Sequence, residues 1–262
     1  MSDYTRINSE TIDKWNKEGW IWATPVSTET FAAAKRGVWD VVLSPQIPVP
    51  KKWFAPFISK KNNRLDKTKI LGLASGGGQQ MPIFAASGAD CTILDYSKLQ
   101  LANEEEVAKR EGYDINIIHA DMTKTLPFPD SNFDLIFHPV SNCYVEDIQH
   151  IWRECFRVLR PGGILMAGMV KGMVYLFDDD NPLLVVNKLP YNPLKDKNLY
   201  DKAIAENWGI QFSHSLEEQI GGQLEAGFIL TDIYEDSDRE TGIAEYCPNY
   251  LITRAVKGVG GL

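Results

Sequence analysis

From residue 68 the chain alternates short apolar runs with segments of helical periodicity. KILGLA (69–74) reads as a buried strand, and Gln79 to Ser87 as a helix closed by Gly88. DCTILDY (90–96) is a second strand. Ser97, whose hydroxyl can accept from a free backbone N–H of the first turn, caps a helix running to Arg110 and ended near Gly112. INIIHAD (115–121) and FDLIFHPV (133–140) supply two more strands. Val145, Ile148, Trp152, Cys155 and Leu159 fall at three- and four-residue spacing, which places them on one face of a helix over 145–159. Pro161-Gly162-Gly163 ends that helix, and ILMAGMV (164–170) is a fifth strand.

Strands that alternate with helices lie parallel, with helices covering both faces of the sheet. The rhythm breaks over residues 171–212, an insertion after the fifth strand. It resumes at Ser215, which stands three residues before Glu218 in the S-x-x-E pattern of a capping box. FILTDIYED (228–236) and NYLITRAVK (249–257) are the last two strands. The expected fold is therefore α/β, with a doubly wound, mostly parallel seven-stranded sheet over residues 68–262. Residues 1–67 break the pattern. They carry Trp15, Trp20, Trp22, Trp39 and Trp53 with prolines interspersed, and read as an N-terminal helical and irregular cap.

Composition narrows the class without naming a chemistry. The 262 residues are 44% hydrophobic and 24% charged, enough apolar material for a sizeable core. The polar start MSDYTRINSE, and apolar runs all well short of the ~18–20 residues of a membrane span, predict a protein off the membrane. Cys91, Cys143, Cys155 and Cys247 show neither C-x-x-C pairing nor zinc-ligand spacing, which predicts free thiols and a reducing, cytoplasmic setting. A net charge of −8, with no basic run beyond Lys51-Lys52 and Lys60-Lys61, argues against a nucleic-acid partner. FDDDNP (177–182) reads as a solvated loop and no metal site is expected, since three adjacent carboxylates rarely converge on one ion.

Candidate chemistry gathers at the ends of the first three strands. ILGLASGGGQQ (70–80) places Gly76, Gly77 and Gly78 directly after a strand. Each glycine costs roughly 0.5–1 kcal/mol relative to alanine in regular structure. A tight strand-to-helix turn accounts for them, and so does close backbone approach to a ligand. Asp95 ends the second strand, 19 residues beyond Gly76, where a carboxylate accepts both hydroxyls of a ribose. Asp121 ends the third strand, where it can accept from an adenine amino group. Ligands of doubly wound sheets sit beyond the carboxyl ends of the strands, so the three ends converge on one adenosine-shaped site.

These residues, with the phrases LASGGG, LDYS, ADMTKTLPFPDSNFDLI (120–136) and RECFRVLRPGG (153–163), make residues 68–170 resemble the class I S-adenosylmethionine-dependent methyltransferases, of the small-molecule, methyltransferase type 11-like kind. The resemblance implies a Rossmann-like fold with an antiparallel last strand, S-adenosylmethionine as cofactor and S-adenosylhomocysteine as its product. It implies contacts from the backbone of Ala74, Ser75, Gly76 and Gly77 to the methionine portion, and from Asp95 to the ribose. Tyr96 and Met122 would face the adenine and Asp121 its amino group, with Gln100 and His138 also in contact. One departure stands out. The family's loop usually has a carboxylate two residues ahead of its first glycine; here Gly72 occupies that place and Ala74 the glycine's. Gln79, Gln80 or a group of the cap then has to hold the methionine ammonium.

A sulfonium methyl is already activated, so its transfer needs positioning and desolvation before it needs a base. HPVSNCY (138–144), at the end of the fourth strand, offers His138 and Tyr144 as catalytic groups, with His138 as base, cofactor contact or loop cap. His119 reads as a packed core histidine, His150 as solvent-facing, and His214 as part of a helix start. The acceptor, a small molecule, belongs between the cap and the insertion. There Trp15, Trp20, Trp22, Tyr175, Phe177, Tyr191 and Trp208 either line a cleft or pack the cap onto the sheet. Two other readings compete. A nicotinamide-dependent oxidoreductase is disfavoured by the missing third glycine of G-x-G-x-x-G and by the terminal strand hairpin. A non-catalytic S-adenosylmethionine-binding protein is motivated by Gly72 and the lack of a clear base.

Overall fold

The computed structural model describes residues 3–178, 181–238 and 242–259. In chain order its main elements are α1 (Tyr4–Lys17), α2 (Thr28–Lys35), β1 (Lys69–Leu73), α3 (Gln80–Ala86), β2 (Asp90–Asp95), α4 (Lys98–Glu111), β3 (Asn116–His119) and β4 (Phe133–His138). There follow α5 (Ile148–Val158), β5 (Leu159–Val170), α6 (Lys197–Glu206), α7 (Gly222–Glu225), β6 (Phe228–Asp236) and β7 (Tyr250–Lys257). The seven strands form one sheet in the order β3-β2-β1-β4-β5-β7-β6. β1 to β5 pair in parallel, and β7 runs antiparallel to both β5 and β6. The chain winds outward from β1 in one direction through β2 and β3, then in the other from β4. The crevice at that reversal is where such sheets take ligands.

Successive strand residues point to opposite faces, and here both faces are dry. Ile70, Ile93, Leu135 and Phe137 pack on one side with Met81 and Phe84 of α3 and Leu101 of α4. Leu71, Leu94, Ile136 and Leu165 pack on the other with Ile151, Trp152 and Cys155 of α5. The N-terminal stretch serves two places. Phe31, Trp39, Trp53 and Phe54 join the core on the α3 face, while α1 lies across the strand ends.

Local chemistry sets the boundaries. The Ser97 hydroxyl accepts from Gln100 N at 3.1 Å to start α4, and Gly112, at φ +67°, ends it in the left-handed region. Ser215 and Glu218 form the reciprocal capping box, at 2.8 and 3.1 Å, ahead of a π-helical turn at Glu217–Gly221. Three expectations need correction. Asp147 rather than the residues before it begins α5, its carboxylate accepting from Gln149 N and His150 N. Pro161-Gly162-Gly163 lies inside β5, because Leu159 already pairs with Phe133 before a bulge resets the register at Leu135. His119 is exposed, because β3 is an edge strand; its ring stacks on Tyr96, with centroids 5.3 Å apart. The four cysteines are free thiols. No described helix is long and apolar enough to cross a membrane. Of the acidic loop at 177–182, Asp179 and Asp180 lie outside the described residues.

Candidate functional site

Beyond the carboxyl ends of β1 to β5 lies one cavity of about 670 Å³. The loop after β1 contributes Ala74, Ser75, Gly76, Gln79 and Gln80 to its wall; β2 and β3 contribute Asp95, Tyr96, Asp121 and Met122. The wall continues through Val140, Cys143 and Tyr144 after β4 to Val170 and Tyr175 at and after the end of β5. β7 runs antiparallel, so its first residue, Tyr250, reaches the same edge. All seven aromatics expected near the acceptor, from Trp15 to Trp208, stand on this wall.

The glycine loop is shaped by its protein neighbours. Ala74 turns the chain at φ +47°. A Cβ on Gly76 would sit 2.6 Å from Gln100 Cβ, and one on Gly77, at φ +106°, 2.5 Å from the Trp22 carbonyl oxygen. The glycines thus let the loop lie against α4 and the Trp22 turn. Gly76 reaches the cavity wall and Gly77 sits behind it. Asp95, 9% exposed, accepts from Gly76 N at 3.0 Å and from Ser97 N at 2.9 Å. Burial raises its pKa, and the backbone donors hold that rise in check. Asp121 accepts from Thr123 N at 2.8 Å. The Gln100 carboxamide is already engaged, accepting from Asn16 Nδ2 at 3.1 Å and donating to Trp22 O at 3.2 Å.

Of the three roles open to His138, its surroundings match the loop cap and not a group on the wall. It is fully buried behind the wall, with Nδ1 2.8 Å from Leu73 O and Nε2 2.7 Å from the Asn142 carboxamide oxygen. Burial lowers its pKa, and neither ring nitrogen is left to face the cavity. It bolts the end of β1 to the loop after β4. Tyr144 does stand on the wall, and burial pushes its phenol pKa well above the ordinary value, so it remains a neutral hydroxyl. Around it, Tyr175 stacks on Tyr191 with centroids 5.0 Å apart and donates to Gln211 Oε1 at 2.9 Å. Burial pushes the Cys143 thiol up to about 12. No histidine lies on the described wall.

Two residues absent from the sequence expectation matter here. Asn8 of α1, 5% exposed, donates to Ile210 O at 2.9 Å and accepts from Ile210 N at 2.6 Å, tying α1 to the end of the insertion. A lone asparagine on the inner side of an otherwise amphipathic helix was the available signal. Tyr250 enters through the antiparallel pairing of β7, which nothing local to its sequence announces.

Residues 71–167 match the methyltransferase domain family. The chain is 40% identical to the uncharacterized methyltransferase YbaJ of Bacillus subtilis (strain 168), over 98% of this chain and 100% of that protein. Among solved structures it resembles an S-adenosylmethionine-dependent methyltransferase from Mesorhizobium loti, with a TM-score of 0.57 at 19% identity over 79% of this chain and 98% of that one. It also resembles the 1,6-didemethyltoxoflavin-N1-methyltransferase of Burkholderia thailandensis, with a TM-score of 0.57 at 14% identity over 98% and 89% of the two chains. The two solved structures speak for the fold, and the Bacillus relative speaks for the family.

Proposed function

This chain belongs to the class I S-adenosylmethionine-dependent methyltransferases, and from that membership we propose that it methylates a small acceptor held in the tyrosine-rich half of its cavity, with the cofactor in the half over β1 to β3. The observation that carries this reading is one continuous cavity with two chemically different walls. Carboxylates at the ends of β2 and β3 suit the hydroxyl and amino donors of an adenosine. The Ser75 hydroxyl, buried and without a partner among the described residues, is a polar group of the loop suited to a ligand.

In this assignment Ala74, Ser75 and Gly76 hold the methionine portion, Asp95 the ribose, Tyr96 and Met122 the adenine faces, and Asp121 the adenine amino group. Gly77 from behind the wall and Gln100 from the wall itself fix the loop and the Trp22 turn. The bound cofactor supplies a methyl group on a sulfonium, already activated for displacement. The chain's own task is to align the acceptor and exclude water. Tyr144 orients the acceptor as a neutral hydroxyl. His138 is a positioning residue that sets the loop carrying Tyr144. The four free thiols accord with a cytoplasmic setting.

Calorimetric titration with S-adenosylhomocysteine and with NADH tests the cofactor, and transfer of labelled methyl to small molecules of a cell extract tests the acceptor class. Binding of S-adenosylhomocysteine alone is expected. Binding of NADH in its place, or label found only on macromolecules, would overturn the assignment.

A further inference from the structure

We infer that Gln80 holds the amino-acid end of the cofactor, its neutral carboxamide serving where a carboxylate has no room. This rests on the cofactor placement proposed above. With the ribose on Asp95 at β2 and the adenine on Asp121 at β3, the amino-acid end lies against the end of β1 and the loop that follows. That end carries an ammonium and a carboxylate, so it needs acceptors and a donor together.

The strand itself supplies neither. A Cβ on Gly72 would sit 2.6 Å from Met81 Sδ, 2.9 Å from Met81 Cγ and 3.0 Å from Ile93 Cδ1. Met81 and Ile93 are both fully buried, so neither has free space into which to retreat from a longer side chain. Of the three glutamines nearby, two are spent. Gln79 Nε2 donates to Ile21 O at 2.8 Å and Thr24 O at 3.1 Å, and Gln100 is held by Asn16 and Trp22.

Gln80 is the third. It is the first residue of α3, stands on the cavity wall, and is 6% exposed. Every other wall glutamine has a partner, yet its carboxamide makes no hydrogen bond to any described residue. Because its polar atoms are not sealed in the interior, the carboxamide is free to turn to a ligand in the cavity. On the same loop the Ser75 hydroxyl is also buried and unpartnered. A carboxamide suits a zwitterion in a way a carboxylate does not. Its oxygen accepts from the ammonium while its NH2 donates to the carboxylate, with no like-charge repulsion.

The test compares binding by calorimetry of S-adenosylhomocysteine, of 5′-methylthioadenosine, which lacks the amino-acid end, and of 5′-(3-aminopropyl)thioadenosine, which keeps only its ammonium. Gln80→Leu should weaken S-adenosylhomocysteine by about ten-fold or more, as for a hydrogen bond to a charged group, and leave methylthioadenosine within about two-fold. Gln80→Glu should bind the aminopropyl compound about ten-fold more tightly than the wild type, a gain no packing role produces. If the leucine variant binds both of the first two ligands equally changed or unchanged while still folded, the inference fails. If that variant does not fold, the glutamate variant decides, and absence of tightening overturns it. A wild-type protein that binds none of the three would instead overturn the cofactor placement.

Discussion

Glu104 is sealed beneath the glycine loop, fully buried, with one carboxyl oxygen accepting from Gly78 N at 2.8 Å and the other without a partner. Burial raises its pKa from 4.5 to about 8. The folded protein therefore keeps a proton that the unfolded chain releases above about pH 4.5, so this group's contribution to stability is full below that pH and declines until about pH 8. Glu104→Gln keeps the acceptor for Gly78 and removes the titration. Urea unfolding should show the variant level with wild type near pH 4.5 and more stable at pH 8, by roughly 3–5 kcal/mol at ~1.4 kcal/mol per pKa unit. Equal stabilities at pH 8 would place the proton elsewhere. Asp95 gives the second prediction at this scale. Beside the ribose contact proposed for it, its side chain serves the fold, because it accepts from both Gly76 N and Ser97 N. Asp95→Ala should weaken S-adenosylhomocysteine about ten- to hundred-fold. It should also lower the thermal midpoint, as an expectation of a free carboxylate would not require. Calorimetry and a melting curve on the same sample separate the two effects.

Among the elements, α5 explains why RECFRVLRPGG and ADMTKTLPFPDSNFDLI occur together. Arg157 donates to Glu154 at 2.9 and 2.7 Å, to Asp130 at 2.9 Å, and to the carbonyls of Phe128 and Leu126 at 2.8 and 3.0 Å. Glu154 accepts in turn from Leu126 N at 2.7 Å. Two ion pairs sharing Arg157 thus pin the connection between β3 and β4 over residues 126–130, and the paired phrases record a brace rather than a catalytic group. The Arg157 side chain is 26% exposed and that of Glu154 11%. Arg157→Ala should therefore cost about 2–3 kcal/mol, below the range for a fully buried pair. In a folded sample it should leave cofactor affinity unchanged. The same elements show what the sequence made legible. Some ends were readable because their chemistry is local: Ser97 and Gly112 flank their own helix and Asp95 closes its own strand, whereas the Asp147 cap and the start of β5 were not read. The acceptor half was legible only as a set of aromatics: Tyr144, Tyr175 and Tyr191 were among its candidates, but their meeting with Tyr250 depends on the sheet order. For His138 the sequence left three roles open; at the last residue of its strand the ring lies against the Leu73 carbonyl and Asn142, and the residue type alone does not choose among the three.

In the whole molecule, α1 ties the segment after β2 to the end of the insertion. Ser9 donates to Tyr96 O at 2.7 Å, Asp13 accepts from Leu99 N at 3.1 Å, Trp15 donates to Asn207 O at 3.1 Å, and Asn8 holds Ile210. These are polar ties to backbone, worth roughly 0.5–1.5 kcal/mol each in water, and together they join the cofactor half to the insertion. Asn8→Ala should shorten the residence time of S-adenosylhomocysteine about ten-fold in stopped-flow displacement, with little change in the melting of the sheet. An unchanged off-rate would mean that ligand leaves by another route. The construction also sets a thermal character. A product leaving past α1 has to undo several of these weak bonds at once, which is a local unfolding event. Such openings carry large activation enthalpies and quicken several-fold for each 10 °C. Product departure should thus be slow in the cold and steeply faster on warming, leaving temperature, more than diffusion, to set how often the site is renewed.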